Sequence, residues 1–346
     1  MADARPVVWV SQPLVDAALA PLRAHVELIT TKEVTAWTPA QLAERLAAVD
    51  GAIVTLNERI GAAEVAGATR LRVIANVGVG YNNLDIDALT SAGIVASNTP
   101  DVLTETTADL GFALLMATAR RITESERWLR DGQWDQWSFQ TMLGADIHGS
   151  TLGILGMGRI GQGIARRAAH GFNMRVLYHN RSQLPADTEH AVGASYVDFT
   201  TLLTRSDHLL LVLPYSASSH HIIDAAALAR MKPTATLVNI ARGGIVDELA
   251  LADALSTGRL AAAGLDVYEG EPKVRGELLA LRNVVLTPHI GSATLGTRTA
   301  MVAMAVDNLL AGLECAGRTA AAMPSAINAG EAFAARAASA GKDKKR

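Results

Sequence analysis

The sequence predicts an α/β fold built from two doubly wound parallel sheets. Short apolar runs alternate with helical patterns along most of the 346 residues, as they do in the βαβ units that form parallel sheets. Several runs, such as 209–213, are apolar at every position, which is typical of strands buried on both faces. The alternation occurs in two series on either side of a helical stretch at 102–129, and the chain length fits about two domains.

Each series can be divided into candidate elements. Helical patterns lie between the strands, for example at 38–49 and at 247–256, where Gly258 follows closely as a helix stop would. A final helical run at about 294–313 is expected to return to the first domain. The predicted strands are 7–10, 26–29, 52–56, 73–77 and 94–96 in the first series, and 152–155, 175–178, 209–213, 236–240, 264–267 and 284–286 in the second.

Composition narrows the class of function. The formal net charge of −3 argues against a general nucleic-acid binder or a protein of anionic membrane surfaces. The single cysteine, Cys315, excludes an intramolecular disulfide and a cysteine-based metal cluster. The sequence shows neither a secretory signal pattern nor an apolar run of bilayer length. We therefore expect a cytoplasmic protein with no nucleic-acid and no membrane partner.

A glycine-rich turn follows the first strand of the second series. Gly156, Gly158 and Gly161 have the spacing G-x-G-x-x-G between an apolar run and a helical pattern. In this setting the first glycine permits the tight turn, the second lets a pyrophosphate approach, and the third lets helix and strand pack closely. The pyrophosphate would lie on N–H groups at the helix N-terminus, including those of Arg159 and Ile160. The pattern therefore predicts a dinucleotide site.

The strand after the glycine turn ends in Asn180, Arg181 and Ser182. Enzymes that use NAD commonly have an acidic residue here, about 20 residues after the turn, which bonds the adenosine ribose hydroxyls. Asn180 takes that place, so no carboxylate would repel a 2′-phosphate. Arg181 can fork onto the phosphate or stack on adenine, and Ser182 can donate a hydroxyl. We predict that NADP(H) is preferred, with NAD(H) as the second choice; an ordinary polar loop is the alternative.

Three more strands of the second series end in polar side chains. Arg242 follows one strand, Asp266, Glu269 and Glu271 follow the next, and His289 follows the last. In a doubly wound sheet the carboxyl ends of the strands lie on one edge, beside the cofactor. Taken singly, Arg242 would be a surface ion pair and His289 a structural histidine. Together they predict an anion-binding, acid–base group.

With these motifs the sequence resembles the D-isomer-specific 2-hydroxyacid dehydrogenases, over roughly residues 5–325. The run 77–83 is similar to the family's carboxylate-binding loop, and 98–100 with 103–109 are similar to its hinge and the start of its crossing helix. Within the family the chain looks most like the glyoxylate/hydroxypyruvate reductases, including those that also reduce 2-ketogluconate. It departs from the family at Asn82, where Asp is common.

The resemblance implies a flavodoxin-like substrate domain and a Rossmann dinucleotide-binding domain, with an active-site cleft between them. Residues 1–101 with 291–328 are expected to form the substrate domain, and 102–290 the dinucleotide-binding domain. The resemblance does not cover 329–346, an alanine-rich stretch that ends in basic residues. We expect this stretch to be a disordered tail.

The resemblance also implies a role for each polar strand end. Arg242 would hold the substrate, His289 would act as acid–base catalyst, and Glu271, which directly precedes a proline, would be its partner. Glu269 competes for that last role, and Asp266 would bond the nicotinamide carboxamide. The other cofactor contacts implied are Thr106, Leu213, Pro214, Ile240, Ala241, Arg242, His289 and Gly291, and the substrate contacts are Val77, Gly78, Arg242 and His289.

The predicted function is therefore an NADP-linked reductase of a small 2-oxo acid that forms the D-2-hydroxy acid. Glyoxylate, hydroxypyruvate and 2-ketogluconate are the candidate substrates. The alternatives are an NAD-linked dehydrogenase of the D-lactate or phosphoglycerate type and a dinucleotide-sensing regulator on the same fold. The net charge and the lack of an added interaction domain favour the enzyme.

The remaining expectations concern assembly and metals. We expect a homodimer in which Trp134 or Trp137 reaches the partner's substrate pocket, with core packing of both residues as the alternative. Apolar residues of the crossing helix such as Phe112 and Leu115 would support that interface. His220 and His221 are expected to be a solvated pair at a helix edge, and no metal site is predicted.

Overall fold

The chain folds into two compact units. The computed structural model describes residues 5–343, with side chains described as far as residue 336. One unit contains Met1–Leu103 and Ala293–Arg346, and the other contains Thr104–Ser292. The two boundaries between the units each lie two residues from the predicted ones, whereas the first unit ends at 346 rather than at the predicted 328. No helix in the described part of the chain has both the length and the apolar character needed to cross a bilayer.

Each unit is built around a parallel sheet. The strands of the first unit are β1 (Val7–Val10), β2 (Glu27–Thr30), β3 (Gly51–Val54), β4 (Val73–Asn76) and β5 (Val95–Ser97). Those of the second are β6 (Thr151–Leu155), β7 (Arg175–His179), β8 (Ala194–Tyr196), β9 (His208–Leu211), β10 (Thr236–Asn239), β11 (Ala262–Leu265) and β12 (Val284–Leu286).

Helices connect the strands in both units, and α7 continues as a π-helical turn over Arg167–Gly171. In chain order the helices are α1 (Asp16–Arg23), α2 (Pro39–Ala47), α3 (Ala62–Val65), α4 (Ile86–Ser91), α5 (Thr104–Ala119), α6 (Ile122–Arg130), α7 (Arg159–Arg166), α8 (Ala186–Val192), α9 (Phe199–Arg205), α10 (Ala225–Arg230), α11 (Glu248–Ser256), α12 (Gly276–Leu279), α13 (Leu295–Gly312) and α14 (Ala329–Asp343).

The strand orders confirm the predicted fold class. The first sheet has the order β2-β1-β3-β4-β5, which is the flavodoxin-like arrangement, and all its pairings are parallel. The second has the order β12-β11-β10-β9-β6-β7-β8, which is the Rossmann arrangement extended by one strand. The sequence missed β8, because its residues, Ala-Ser-Tyr, do not form an apolar run like that of the other edge strand, β12.

The second sheet is buried on both faces. Alternate residues of a strand point to opposite sides, so a strand covered on both sides must be apolar throughout. In β9, Leu209 and Leu211 pack in the cluster on one face together with Leu237. Leu210 belongs to the cluster on the other face, with Ile154 of β6. This double burial is the physical reason for the continuous apolar runs in the sequence.

In the first unit, α2 shows how local sequence sets an element. Thr38 precedes the helix; its hydroxyl accepts a hydrogen bond from the Gln41 backbone, and Gln41 Oε1 accepts one from the Thr38 backbone. This reciprocal capping box fixes where the helix begins. Leu42 and Leu46 then face the sheet and pack in the cluster that contains Trp9.

The predicted helical stretch between the two series consists of two helices rather than one. α5 ends at Ala119 and α6 begins at Ile122, with Arg121 between them in the left-handed region at φ 54°. The returning chain passes so close that a Cβ on Gly144 would lie 2.5 Å from the Ala119 carbonyl oxygen. Ala145 donates its N–H to the same oxygen at 2.8 Å, which satisfies a carbonyl at the end of α5.

The prediction of a disordered tail at 329–346 is wrong for the residues that the structure describes. α14 occupies 329–343, and Ala332 within it is fully buried. Arg336 donates from Nη2 to the carbonyl oxygens of Arg72 and Gly93, at 2.9 and 2.6 Å. An alanine-rich composition hides these contacts, because they depend on tertiary position rather than on pattern. Residues 344–346 lie outside the described residues.

We predict that Arg336→Ala destabilises the first unit. The change removes two charge-assisted hydrogen bonds, at a cost of about 1–3 kcal/mol. The Arg72 carbonyl keeps its bond from the Val95 N–H, so the larger part of the loss is expected at Gly93. Thermal unfolding by calorimetry should show a Tm lower by a few degrees in the affected transition. The control is Arg130→Ala, whose guanidinium is exposed and pairs only with Glu126. Equal Tm values for the two variants would show that Arg336 does not secure α14.

Candidate active site

The glycine turn between β6 and α7 has the geometry that a pyrophosphate needs. Gly156 has φ +103°, and a Cβ there would lie 2.6 Å from a backbone nitrogen of the segment after β9. A Cβ on Gly161 would lie 2.3 Å from the Gly156 carbonyl oxygen, whereas Gly158 faces open space. Gly158 is the N-cap of α7, and the N–H groups of the first turn of a helix point toward its N-terminal end. The turn therefore fits the pyrophosphate of a dinucleotide.

Asn180 follows β7 and supports this turn directly. Its Oδ1 accepts a hydrogen bond from the Met157 N–H, inside the glycine motif, at 2.7 Å. Asn180 is half-buried, whereas Arg181 and Ser182 are exposed. Sequence reasoning treated all three as cofactor contacts; the structure adds that the first of them holds the glycine turn.

Arg242 lies in the segment after β10, where the backbone is tightly fixed. The Asn239 side chain donates to the Arg242 carbonyl at 2.9 Å and accepts from the Ala241 N–H at 3.0 Å. The guanidinium donates from Nη1 to the Ala241 carbonyl at 2.7 Å. Burial lowers the pKa of Arg242, and the charge of Glu271 opposes that shift. A buried guanidinium held in this way is suited to binding an anion.

Asp266, directly after β11, organises the turn that carries His289. Its Oδ1 accepts from the Thr287 hydroxyl at 2.7 Å and the Ile290 N–H at 2.8 Å, and its Oδ2 accepts from the Gly291 N–H at 2.9 Å. Burial raises the pKa of Asp266, and these hydrogen bonds oppose the rise. The predicted contact of Asp266 with the nicotinamide stays a prediction, since the structure assigns this carboxylate to the turn.

His289 and Glu271 form a close pair. His289 has φ +52°, and its Nδ1 lies 2.8 Å from Glu271 Oε2. The other oxygen of Glu271, Oε1, accepts from the Tyr268 N–H at 2.8 Å, so both carboxylate oxygens have a partner. Burial would raise the pKa of Glu271, but the hydrogen bond and charge of His289 outweigh it and the pKa is lowered. The arrangement leaves Nε2 of His289 as the nitrogen that can exchange a proton with a substrate.

Comparison with known proteins assigns this constellation to a family. Residues 112–291 match the family profile described as "D-isomer specific 2-hydroxyacid dehydrogenase, NAD binding domain". The chain is also 44% identical over 311 residues to the glyoxylate reductase of Thermococcus onnurineus (strain NA1), which covers 89% of this chain and 92% of that protein. The chain belongs to the D-isomer-specific 2-hydroxyacid dehydrogenases. It is therefore an oxidoreductase with an NAD-binding domain.

Two further relatives place it within the family. The glyoxylate/hydroxypyruvate reductase B of Escherichia fergusonii is 42% identical over 311 residues, covering 90% of this chain and 95% of that one. A solved structure of an NADPH-dependent glyoxylate/hydroxypyruvate reductase from Sinorhizobium meliloti, in complex with NADP and malonate, has a TM-score of 0.81 and 33% identity. That similarity covers 94% of this chain and 97% of the solved one. The predicted resemblance is confirmed.

The remaining predicted cofactor residues of this dehydrogenase lie on α5 or follow strands of the second sheet. Gly291 contacts Asp266, as described above, and a Cβ on it would lie 3.3 Å from Thr107 on α5. The cofactor contacts of these predicted residues stay predictions. Thr106 lies on α5, Leu213 and Pro214 follow β9, Ile240 and Ala241 follow β10, and Gly291 follows β12.

The predicted N–H donors of the carboxylate-binding loop, Val77 and Gly78, already have acceptors within the first unit. The Val77 N–H donates to the Val54 carbonyl at 2.8 Å and the Gly78 N–H to the Asn76 carbonyl at 3.0 Å, so both are used inside the unit. Within the described residues no hydrogen bond is found for the next two N–H groups, those of Val79 and Gly80. A backbone donor that has a protein acceptor is a poor anion ligand, so the loop offers Val79 and Gly80 instead.

Glu248 is a further residue of this region that sequence reasoning missed. Its carboxylate is buried and accepts from the Glu269 N–H at 2.6 Å, and its other oxygen lies 3.3 Å from Arg275 Nε. Burial raises the pKa of Glu248. It fixes the segment that carries Glu271 by holding the backbone two residues earlier. Its position at the start of α11 gave no sign of this long-range contact.

We predict that Glu271→Gln and Glu269→Gln differ in their effect on kcat for reduction. Glu271→Gln replaces the charged acceptor that holds His289 Nδ1 at 2.8 Å with a neutral amide, so kcat should fall by about tenfold or more. Glu269 instead bonds His221 at 2.9 Å and Arg275 at 3.2 Å, so its change should leave kcat close to that of the wild type. Steady-state kinetics of both variants measure the difference, and an equal loss of kcat in the two would mean that the acid is wrongly assigned.

Proposed function

We propose that the protein is an NADP(H)-linked reductase that converts a small 2-oxo acid, such as glyoxylate, hydroxypyruvate or 2-ketogluconate, to the D-2-hydroxy acid. The observation that carries the proposal is the His289–Glu271 pair at 2.8 Å, on the sheet edge where Arg242 also lies. A proton donor beside a buried cation is the combination that reduction of an anionic ketone requires. The names of the relatives, glyoxylate reductase and glyoxylate/hydroxypyruvate reductase, support glyoxylate and hydroxypyruvate among these substrates.

In the proposed mechanism each residue has one task. Arg242 forks onto the substrate carboxylate and the C2 carbonyl oxygen, which orients the carbonyl and stabilises negative charge on its oxygen. Protonated His289 donates the proton from Nε2 to that oxygen. Glu271 keeps the imidazole oriented through its contact with Nδ1 at 2.8 Å. A nicotinamide dinucleotide, when bound, supplies the hydride to C2. General acid catalysis of this kind contributes about 10²–10⁴-fold.

We further propose that the backbone of the 77–80 loop binds the substrate carboxylate through Val79 and Gly80. This proposal replaces the earlier choice of Val77 and Gly78, whose N–H groups have acceptors at 2.8 and 3.0 Å. The Val79 carbonyl accepts from Asn98 at 2.9 Å and the Gly80 carbonyl from Asn76 at 3.1 Å. These two bonds hold the loop while leaving its N–H groups for an anion.

Homodimer formation is also part of the proposal. Trp137 is 74% exposed and Trp134 52% exposed, in a segment that also exposes Phe139. Such a group of aromatic side chains is typical of an interface. The earlier expectation for Phe112 and Leu115 is wrong, because both are buried within their own unit. The exposed segment after α6 is therefore the better candidate.

The direct test is a panel of glyoxylate, hydroxypyruvate, pyruvate and 2-ketogluconate, each with NADPH and with NADH. We expect turnover of glyoxylate or hydroxypyruvate with NADPH at the highest kcat/KM. Turnover of pyruvate with NADH alone would favour a D-lactate-type enzyme. Binding of the dinucleotide without turnover of any 2-oxo acid would favour a sensing regulator.

We predict that Asn180→Asp shifts the cofactor preference toward NADH. The new carboxylate keeps an oxygen that can accept from Met157, so the turn is preserved, but it adds repulsion toward a 2′-phosphate. NADPH preference should fall by about one to two powers of ten, since charge-assisted bonds contribute roughly 1.5–3 kcal/mol. The ratio of kcat/KM for the two cofactors measures the shift. A wild-type protein that already prefers NADH would contradict the assignment.

We predict that His289→Ala lowers kcat in both directions by about 10²–10⁴-fold. Dissociation constants for NADPH, measured by fluorescence titration, should remain close to those of the wild type. The matched control is His190→Ala, an exposed histidine on α8. A kcat for His289→Ala similar to that of this control would remove His289 from the mechanism.

A further inference from the structure

We propose that His220, His221 and Glu269 form a binding site for a divalent transition metal, with Zn²⁺ as the best-suited ion. One nitrogen or oxygen ligand atom of each residue lies within 4.8 Å of the others. Two imidazoles and a carboxylate are ligands that Zn²⁺ accepts, with water in a fourth position. The cluster is distinct from the His289–Glu271 pair and is not used by the proposed reaction.

The two histidines are consecutive, yet their rings lie side by side. Their centroids are 3.9 Å apart with an interplanar angle of 23°. Consecutive side chains normally diverge; here His221 has φ +49°, and its N–H donates to the Gly244 carbonyl at 2.8 Å. This backbone bond holds an uncommon conformation that brings both imidazoles to the same side. The two imidazoles therefore lie close together on one side of the chain. Because an imidazole donates its lone pair in the plane of the ring, binding of one ion requires the stacked rings to turn toward each other, and both side chains are exposed enough to do so.

A third ligand comes from a different strand end. Glu269 Oε1 lies 2.9 Å from His221 Nε2, so a metal would replace the proton shared between them. Ligand atoms around a tetrahedral zinc ion lie roughly 3.3–3.5 Å apart, given bond lengths near 2 Å. The side chains of His221 and Glu269 are 31% and 28% exposed, and His220 is exposed. The adjustment from 4.8 Å can therefore take place without rearranging the core.

The surrounding residues orient the ligands. The Tyr215 hydroxyl lies 3.1 Å from His220 Nδ1. If Nδ1 donates in this bond, Nε2 carries the lone pair that a metal needs, as outer contacts commonly arrange in zinc sites. Arg275 bonds the second oxygen of Glu269 at 3.2 Å, which leaves Oε1 directed to the histidines.

The local charge also permits a cation. Arg275 is the positive group beside the site, but it lies 3.3 Å from the buried carboxylate of Glu248 as well as beside Glu269. The two carboxylates exceed the one guanidinium by one negative charge. With neutral imidazoles, a divalent ion would therefore meet a site with a net negative charge.

The site would join two segments of the second unit, the one after β9 and the one after β11. Zinc uptake by the metal-free full-length protein, measured by isothermal titration with ZnCl₂, should show one ion per chain. His221→Ala and Glu269→Gln should each weaken zinc affinity by about tenfold or more, because each removes a ligand. The control is His25→Ala, an exposed histidine of the first unit, which should bind as the wild type does.

Two further measurements identify the site. Zinc should raise the Tm of the wild type and of His25→Ala but not that of the double variant His220→Ala/His221→Ala. Circular dichroism establishes that the variants are folded. Unchanged zinc affinity in the double variant would overturn the proposal, as would the absence of saturable binding to the wild type. Zinc binding that is lost in His289→Ala but kept in the double variant would place the metal at the catalytic pair and would equally overturn it.

Discussion

The buried carboxylate of Asp266 is the group on which the geometry of the proposed catalytic pair depends. It receives three hydrogen bonds from the segment 287–291, and this segment could not close into its turn without an acceptor at its centre. Closure of the turn places His289 at φ +52°, a conformation that a non-glycine residue adopts only when its surroundings enforce it. The imidazole then meets Glu271. A structural carboxylate thus fixes the position of the imidazole that we propose as the proton donor.

Close backbone packing supplies the second constraint. A Cβ on Gly243 would lie 1.8 Å from the carbonyl carbon of Tyr268, so the segment after β10 lies directly against the segment after β11. Arg242 precedes this contact and Glu271 follows it by a few residues. Glu248 holds the Glu269 N–H from a third direction. The position of Arg242 relative to the His289–Glu271 pair is therefore set by backbone contacts, which side-chain chemistry alone would not predict.

The sequence predicted the parts of the molecule that short-range pattern encodes. Continuous apolar runs identified most of the strands. The spacing of Gly156, Gly158 and Gly161 identified the turn, because a side chain at Gly156 or Gly161 would collide with nearby backbone and Gly158 leaves the space open. Contacts between distant segments were missed. Glu248 and α14 acquire their roles from residues far along the chain, and β8, Ala-Ser-Tyr, has no apolar run.

The hydrogen bonds of Val77 and Gly78 show a different limit of the sequence. Sequence shows which backbone N–H groups exist, but only the fold shows which of them already have acceptors. Strand β4 ends at Asn76, and its ladder continues one residue further, to Val77. The N–H groups of the loop that lack a protein acceptor therefore begin at Val79, two residues after the start of the motif at Val77.

Asn180 has two effects on the dinucleotide site: it holds the glycine turn, and it leaves the strand end without a negative charge. Its Oδ1 stabilises the glycine turn through the Met157 N–H, so this oxygen cannot be given up without loosening the pyrophosphate site. Asp would satisfy the same donor, and the requirement for the turn alone therefore does not distinguish Asn from Asp. What distinguishes them is charge, since only the carboxylate repels a phosphate on the adjacent ribose. The neutral amide of Asn180 therefore holds the turn without repelling a 2′-phosphate. The exposed side chains of Arg181 and Ser182 are then the groups that would distinguish NADPH from NADH.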